Sequence, residues 1–179
     1  MTTRSIALLS TGGTIEKTYD PFEGMLANEV SVLDVMLSQL ELEGITLHRM
    51  EVMNKDSLEM TEEDHEQICA AALEASSAHD GVVIVHGTDR LAVTGELIVR
   101  RAKGSLGCAM VLTGAMRPWI LRTTDAMQNV TEALMAVQLL DPGVYVCMHN
   151  QVLQFPGVRK DRERHRFVRQ CDEKQEVIL

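Results

Sequence analysis

Apolar residues in this chain fall into short continuous runs, separated by stretches in which they recur at helical spacing. Val82-Val83-Ile84-Val85 is a run of four β-branched residues, the pattern of a strand buried on both faces of a parallel sheet. Residues 6–9, 108–112 and 144–148 are similar runs, and residues 45–53 alternate apolar and polar positions as a further strand. Between them, Val32, Leu33, Met36, Leu37 and Leu40 mark a helix over 30–40. Thr61-Glu62-Glu63-Asp64 reads as a helix cap, followed by Ile68, Ala71, Ala72 and Ala75 on one face. Residues 91–102 and 123–140 complete the helices, the last stopped by Asp141-Pro142-Gly143. Residues 11–28, with Pro21, read as a loop, and the polar tail after Met148 receives no element. Strict alternation of strand and helix predicts an α/β fold: three αβα layers around a mainly parallel sheet, flavodoxin- or Rossmann-like.

Composition narrows the function. The 179 residues fit one domain, here 1–179, with no interdomain linker or repeat. The net charge of −9 argues against nucleic acid as a partner, because phosphate binding needs a basic face. Residues 151–179 hold seven Lys/Arg against five Asp/Glu, leaving −11 on the rest. The alternating signs of Arg159-Lys160-Asp161-Arg162-Glu163-Arg164 read as a solvated or ion-paired face. Cys69, Cys108, Cys147 and Cys171 show no metal-ligand or disulfide spacing, which favours a reducing compartment. With no apolar run long enough for a membrane span and no signal-peptide pattern, the expected location is cytoplasmic, with no membrane partner.

The chemistry gathers at the carboxyl ends of the strands, where open α/β sheets bind ligands. Four strands end in Ser10-Thr11-Gly12-Gly13-Thr14, Asn54-Lys55-Asp56-Ser57, His86-Gly87-Thr88-Asp89 and Thr113-Gly114-Ala115-Met116-Arg117. Glycines let a ligand approach the backbone, and hydroxyls and carboxylates supply polar contacts. A threonine hydroxyl is a weak nucleophile and needs a base or a proton relay. A lysine amine can serve where a desolvated, charge-balanced site moves its titration toward neutrality. Lys160, beside a suitable aspartate, is the candidate. Plainer readings stand beside these: a tight turn for Gly12 and Gly13, packing for Tyr19, a structural strand-end role for His86. Asp125 and Asn129, one helical turn apart, either brace the Thr14 loop or face solvent. His65-Glu66-Gln67-Ile68-Cys69 lacks the second histidine of a zinc-protease helix.

Together Thr11-Gly12-Gly13-Thr14-Ile15, His86-Gly87-Thr88-Asp89 and Gly114-Ala115-Met116-Arg117-Pro118 resemble the bacterial-type L-asparaginases, from Ile6 to about Lys160. The resemblance is to the amino-terminal catalytic domain of the longer members. It implies hydrolysis of the side-chain amide of L-asparagine to L-aspartate and ammonia through a threonine acyl-enzyme, with no metal or cofactor. Thr14 matches the nucleophile and Tyr19 the residue that orients it. Thr88, Lys160 and Asp89 match the relay, Lys160 being reached by the gap-free segment from Met148-His149-Asn150-Gln151-Val152-Leu153. Asp56 and Ser57 match substrate-binding positions, Ser57 as the contact to the substrate α-carboxylate, and Asp89 matches the contact to its ammonium. Gly13, Gly87 and Ala115 line the substrate, the last through its carbonyl to the amide. Backbone N–H groups near Thr14 and Thr88 would form the oxyanion hole.

Two departures accompany the match. The second domain of longer members, with the acidic residue it lends to a neighbour's site, has no counterpart, so the chain is expected to be a compact single-domain form. Leu58 stands where some members place a polar side chain on the substrate amine, which leaves the ammonium to Asp89, aided by Glu59. L-Glutamine is the second candidate substrate. A homo-oligomer, dimer or tetramer, is expected from the family's assemblies and from adaptable, methionine-rich apolar surface. The alternatives are a glutaminase or amidase part of a larger amidotransferase and a non-catalytic amino-acid-binding module. Gly104-Ser105-Leu106-Gly107 is no nucleophile elbow and no G-x-G-x-x-G follows the first strand, which disfavours a serine esterase and a nucleotide-binding module.

Overall fold

The computed structural model describes residues 3–28 and 31–169. Strand β1 (Arg4–Gly12) leads into a 3-10 turn, Thr14–Glu16, and a small hairpin, β2 (Thr18–Asp20) and β3 (Met25–Ala27). Helix α1 (Leu33–Leu37), β4 (Ile45–Lys55), α2 (Glu62–Ala78), β5 (Gly81–Val85), α3 (Leu91–Ala102), β6 (Ala109–Thr113), α4 (Ala126–Leu139) and β7 (Gly143–Met148) follow in alternation. The chain closes with β8 (Gln151–Gln154) and a hairpin of β9 (Val158–Asp161) and β10 (Arg166–Arg169). The central sheet runs β4-β1-β5-β6-β7-β8, its first five strands parallel and β8 antiparallel at the edge.

The continuous apolar runs are explained by burial of both sheet faces. Alternate residues of a strand point to opposite faces. Ala7, Leu9, Val82 and Ile84 therefore pack with Ile68 and Ala72 of α2 and Ile98 of α3. Ile6, Leu8, Val83 and Val85 face the other way, onto Leu33 and Met36 of α1 and Val130 and Leu134 of α4. This is the three-layer αβα arrangement expected from the alternation. Helix α2 opens with the expected capping box, Thr61 accepting from the Asp64 amide and Asp64 from the Thr61 amide.

Other elements differ from the sequence expectation. The helix expected over 30–40 is α-helical only from Leu33 to Leu37, Val30 lying outside the described residues. The Ser38 hydroxyl bonds the Val35 carbonyl, and the chain then tightens into turns through Gln39 and Leu40. Helix α4 begins three residues later than expected, because the Asp125 carboxylate caps another loop and not its own helix. The span expected as loop holds the 3-10 turn and the β2–β3 hairpin. The unassigned tail holds three strands. Phe155 lies against α3 at Gly95, where a Cβ would come within 2.3 Å of its ring. The Gly157 amide bonds Glu96 at 2.6 Å, and Val158 and Phe167 are buried in the α2/α3 core. These contacts anchor the final hairpin against α3, with β10 also meeting β7 and β8. Cys69, Cys108 and Cys147 are free and buried, while Cys171 lies outside the described residues.

Candidate active site

The strand order reverses around β1, which puts the switch point of the sheet between β1 and β5. Gly13 and Gly87 meet there. Gly13 has φ +81°, and a Cβ on it would lie 2.3 Å from the Gly87 Cα. A Cβ on Gly87 would in turn lie 2.5 Å from Ser57 Oγ. Only two side-chain-free residues let the three strand ends close on one another. Gly13 is tied further by its amide to the Lys55 carbonyl at 2.8 Å, and its own carbonyl accepts from Asn28 Nδ2 at 2.8 Å. The expected substrate contacts Gly13, Ser57 and Gly87 are thus brought into one packed unit.

Thr14 opens the 3-10 turn directly after Gly13 and is half-buried. Ser57 is buried, and its hydroxyl makes no hydrogen bond within the protein among the described residues. Asp56 is occupied: its carboxylate accepts from Lys17 Nζ at 2.6 Å and caps the Ser57–Glu59 turn through the Leu58 amide at 3.0 Å. Burial pushes the Asp56 carboxyl up, but the Lys17 and Leu58 donors outweigh it and hold the group below the usual carboxylate range. The Lys17 pair links the Thr14 turn to the end of β4, a link the sequence reading missed. Glu59 lines a neighbouring cleft of about 320 Å³ with Lys17, Lys55 and Asp56. Tyr19 is 60% exposed on β2 and makes no hydrogen bond to Thr14 among the described residues.

Thr88, Asp89 and Lys160 come together from distant parts of the chain. Lys160 Nζ donates to Thr88 Oγ1 at 2.7 Å and to Asp89 Oδ1 at 3.2 Å. Thr88 is buried and the Lys160 side chain is largely so, which strengthens the contact relative to one in water. The anchored β9–β10 hairpin delivers the amine over the end of β5. Its turn also places Arg162 Nη2 3.3 Å from Asp89 Oδ1.

Ala115 is buried in the loop after β6. Asp125 fixes that loop: its carboxylate accepts the Met116 and Arg117 amides at 3.0 Å each, Asn129 Nδ2 at 2.9 Å and His149 Nε2 at 2.7 Å. Asn129 adds a bond to the Gly114 carbonyl at 2.9 Å. Burial alone would raise the Asp125 carboxyl, and the Met116 amide, His149 and the Arg117 amide bring it below the ordinary range. Asp125 and Asn129 are therefore a buried brace, on the 114–117 loop where the sequence reading pointed to the Thr14 loop. The two loops still communicate, through the Trp119 amide and the Ile15 carbonyl at 3.3 Å.

His86 is fully buried and acts structurally. Its Nδ1–H donates to the Gly87 carbonyl at 2.8 Å, since a carbonyl only accepts. Its Nε2 then accepts the Thr94 hydroxyl at 2.8 Å, and Thr94 accepts from His65 Nδ1 at 2.7 Å. Burial pulls His86 down to about 4, and His65 is lowered by the same cause. The unfolded state protonates at the ordinary value near 6.5. The stability from a neutral His86 is therefore full above that pH and is lost as pH falls through about 4. Urea unfolding at stepped pH should show a loss on the order of 3 kcal/mol across this window. A His86→Gln variant should show a shallower acid limb, and an equal slope would contradict the assignment.

The fold is a three-layer α/β arrangement, with this cluster of polar side chains and glycines at the sheet's switch point. Residues 5–167 match the family model "Asparaginase, N-terminal", and the chain belongs to the asparaginase family. It is 31% identical over 157 residues to the L-asparaginase of Thermococcus kodakarensis, covering 87% of this chain and 47% of the relative. It is equally 31% identical over 147 residues to a glutamyl-tRNA(Gln) amidotransferase subunit of Haloquadratum walsbyi, covering 81% of this chain and 33% of the relative. The solved thermostable L-asparaginase from Thermococcus kodakarensis superposes with a TM-score of 0.76 at 30% identity, over 87% of this chain and 47% of that one. The chain thus spans less than half the length of these relatives. Among the described residues, no helix is long and apolar enough to cross a membrane.

Proposed function

We propose that this chain hydrolyses the side-chain amide of L-asparagine to L-aspartate and ammonia. The observation that carries the reading is Lys160 Nζ held at 2.7 Å from the Thr88 hydroxyl and 3.2 Å from Asp89, on the strand end where Gly87 packs against Gly13. In this reading the Thr14 hydroxyl attacks the amide carbonyl. Its proton goes to the departing nitrogen and ammonia leaves. Water, deprotonated through Thr88 and Lys160, then cleaves the Thr14 ester to give aspartate and restore the hydroxyl. Asp89 balances the lysine charge and meets the substrate ammonium. Ser57, with its uncommitted hydroxyl, receives the α-carboxylate, and Tyr19 closes toward Thr14 when substrate binds. Gly13, Gly87 and Ala115 shape the walls, and Asp56 holds the Ser57 turn. The exposed apolar face of α4, with Leu139 75% exposed, supports a homo-oligomer.

The equal identity to an amidotransferase component supports a second reading, release of ammonia from a side-chain amide for use by a partner. Both share the threonine ester. Incubation with a reactive asparagine analogue, followed by peptide mass mapping, tests it. The expected adduct lies on Thr14. An adduct on Thr88 reverses the two roles, and none on either threonine contradicts the acyl-enzyme.

A further inference from the structure

We infer that Arg162 sets the substrate preference of this site: it stands where a substrate's α-ammonium would pair with Asp89, so that side-chain amides lacking that ammonium are accepted about as readily as asparagine. The inference rests on the proposed role of Asp89 as the ammonium contact.

Asp89 Oδ1 is shared by two cations, Lys160 Nζ at 3.2 Å and Arg162 Nη2 at 3.3 Å. Among the described residues, one anion and two cations meet at this corner, a net positive charge. An arriving ammonium gains one carboxylate and meets two like charges within a few ångströms, the largely buried Lys160 and the solvent-screened Arg162. Lys160 cannot withdraw without leaving Thr88. Arg162 is the group that must yield. Its presentation is built into the turn between β9 and β10. Asp161 accepts the Glu163 and Arg164 amides at 3.1 Å each and lies 3.9 Å from Arg164 Nε, which folds the turn and leaves Arg162 on the Asp89 side. The Arg162 side chain is 70% exposed, so its pair with Asp89 is weak and displaceable. The consequence is lowered selectivity for the amine, with asparagine still admitted. The class admitted beside asparagine is a four-carbon mono-amide with a free carboxylate and no cationic amine, of which succinamate is the simplest. This is discrimination by a repulsive element, in addition to any attractive contact.

The test compares kcat/KM for L-asparagine and succinamate on the purified full chain, as wild type, Arg162→Gln and Arg162→Glu. In the wild type the two values should lie within about tenfold of each other. Arg162→Gln should raise the asparagine-to-succinamate ratio about tenfold, and Arg162→Glu further still. In parallel, the dissociation constants of L-aspartate and succinate are measured by thermal shift, since these products differ only in the amine. If neither amide is turned over, the hydrolase reading fails, while the aspartate-to-succinate ratio still reports on Arg162. A strong wild-type preference for the amine overturns the inference. So do ratios unchanged in Arg162→Gln, a charge reversal with no greater effect than the neutral change, and failure of both products to bind any variant.

Discussion

Replacing Lys160 with methionine should lower ammonia release from L-asparagine by about a thousandfold or more, with little change in Tm. The side chain bonds Thr88 at 2.7 Å and Asp89 at 3.2 Å, and methionine fills a similar volume without the amine. Loss of the amine takes the lysine donor from the Thr88 hydroxyl and leaves Asp89 to Arg162. Chemistry should fall far more than substrate affinity, so the effect appears in kcat before KM. Arg162 cannot substitute, because it reaches Asp89 and not Thr88. Lys160→Arg should also fail: a planar guanidinium stays charged and cannot exchange the proton that a relay requires. A Lys160→Met variant with wild-type turnover would remove Lys160 from the chemistry altogether.

The largest stability effect is expected at Asp125. Asp125→Ala strips four donors of a buried acceptor at once: the Met116 and Arg117 amides, Asn129 and His149. Hydrogen bonds to a charged group are stronger than neutral ones, and buried donors left without partners cost further free energy. We expect a loss of about 3 kcal/mol or more, about 10 °C in Tm, by urea and thermal unfolding. The loop carrying Ala115 should loosen with it, so that amide turnover falls in the molecules that remain folded. Amide hydrogen exchange at Met116 and Arg117 should speed up more than in the centre of β6. A loss within the range of an ordinary surface substitution, about 0.5 kcal/mol, would show that the brace is redundant.

The sheet and its strand ends were legible because the physics behind them is local. Val82-Val83-Ile84-Val85 has no alternation, so both faces must be covered, and the structure covers them with α2, α3 and α4. Glycine at 13 and 87 reports a close backbone approach, though the sequence does not say that the two glycines approach each other. The final hairpin was hidden because its burial rests on few residues, Val158 and Phe167, among charges that read as a solvated face. Lys160 was therefore singled out as a lysine beside an aspartate and through the family resemblance, not through a recognised strand. Asp125 and Asn129 illustrate a different limit. Their spacing places them on one helix face, but which loop meets that face is decided by the packing of α4 between β6 and β7. The Lys17–Asp56 and Arg162–Asp89 pairs join residues far apart in the chain, and neither leaves a pattern in the sequence.

The central claim is that this cluster cleaves a side-chain amide. Ammonia release from L-asparagine by the purified wild-type chain tests it most directly, with L-glutamine run beside it. The account predicts ammonia and L-aspartate in equal amounts over many turnovers, at asparagine concentrations up to about 1 mM. No ammonia from either amide at that concentration would contradict it and leave a binding site without the chemistry.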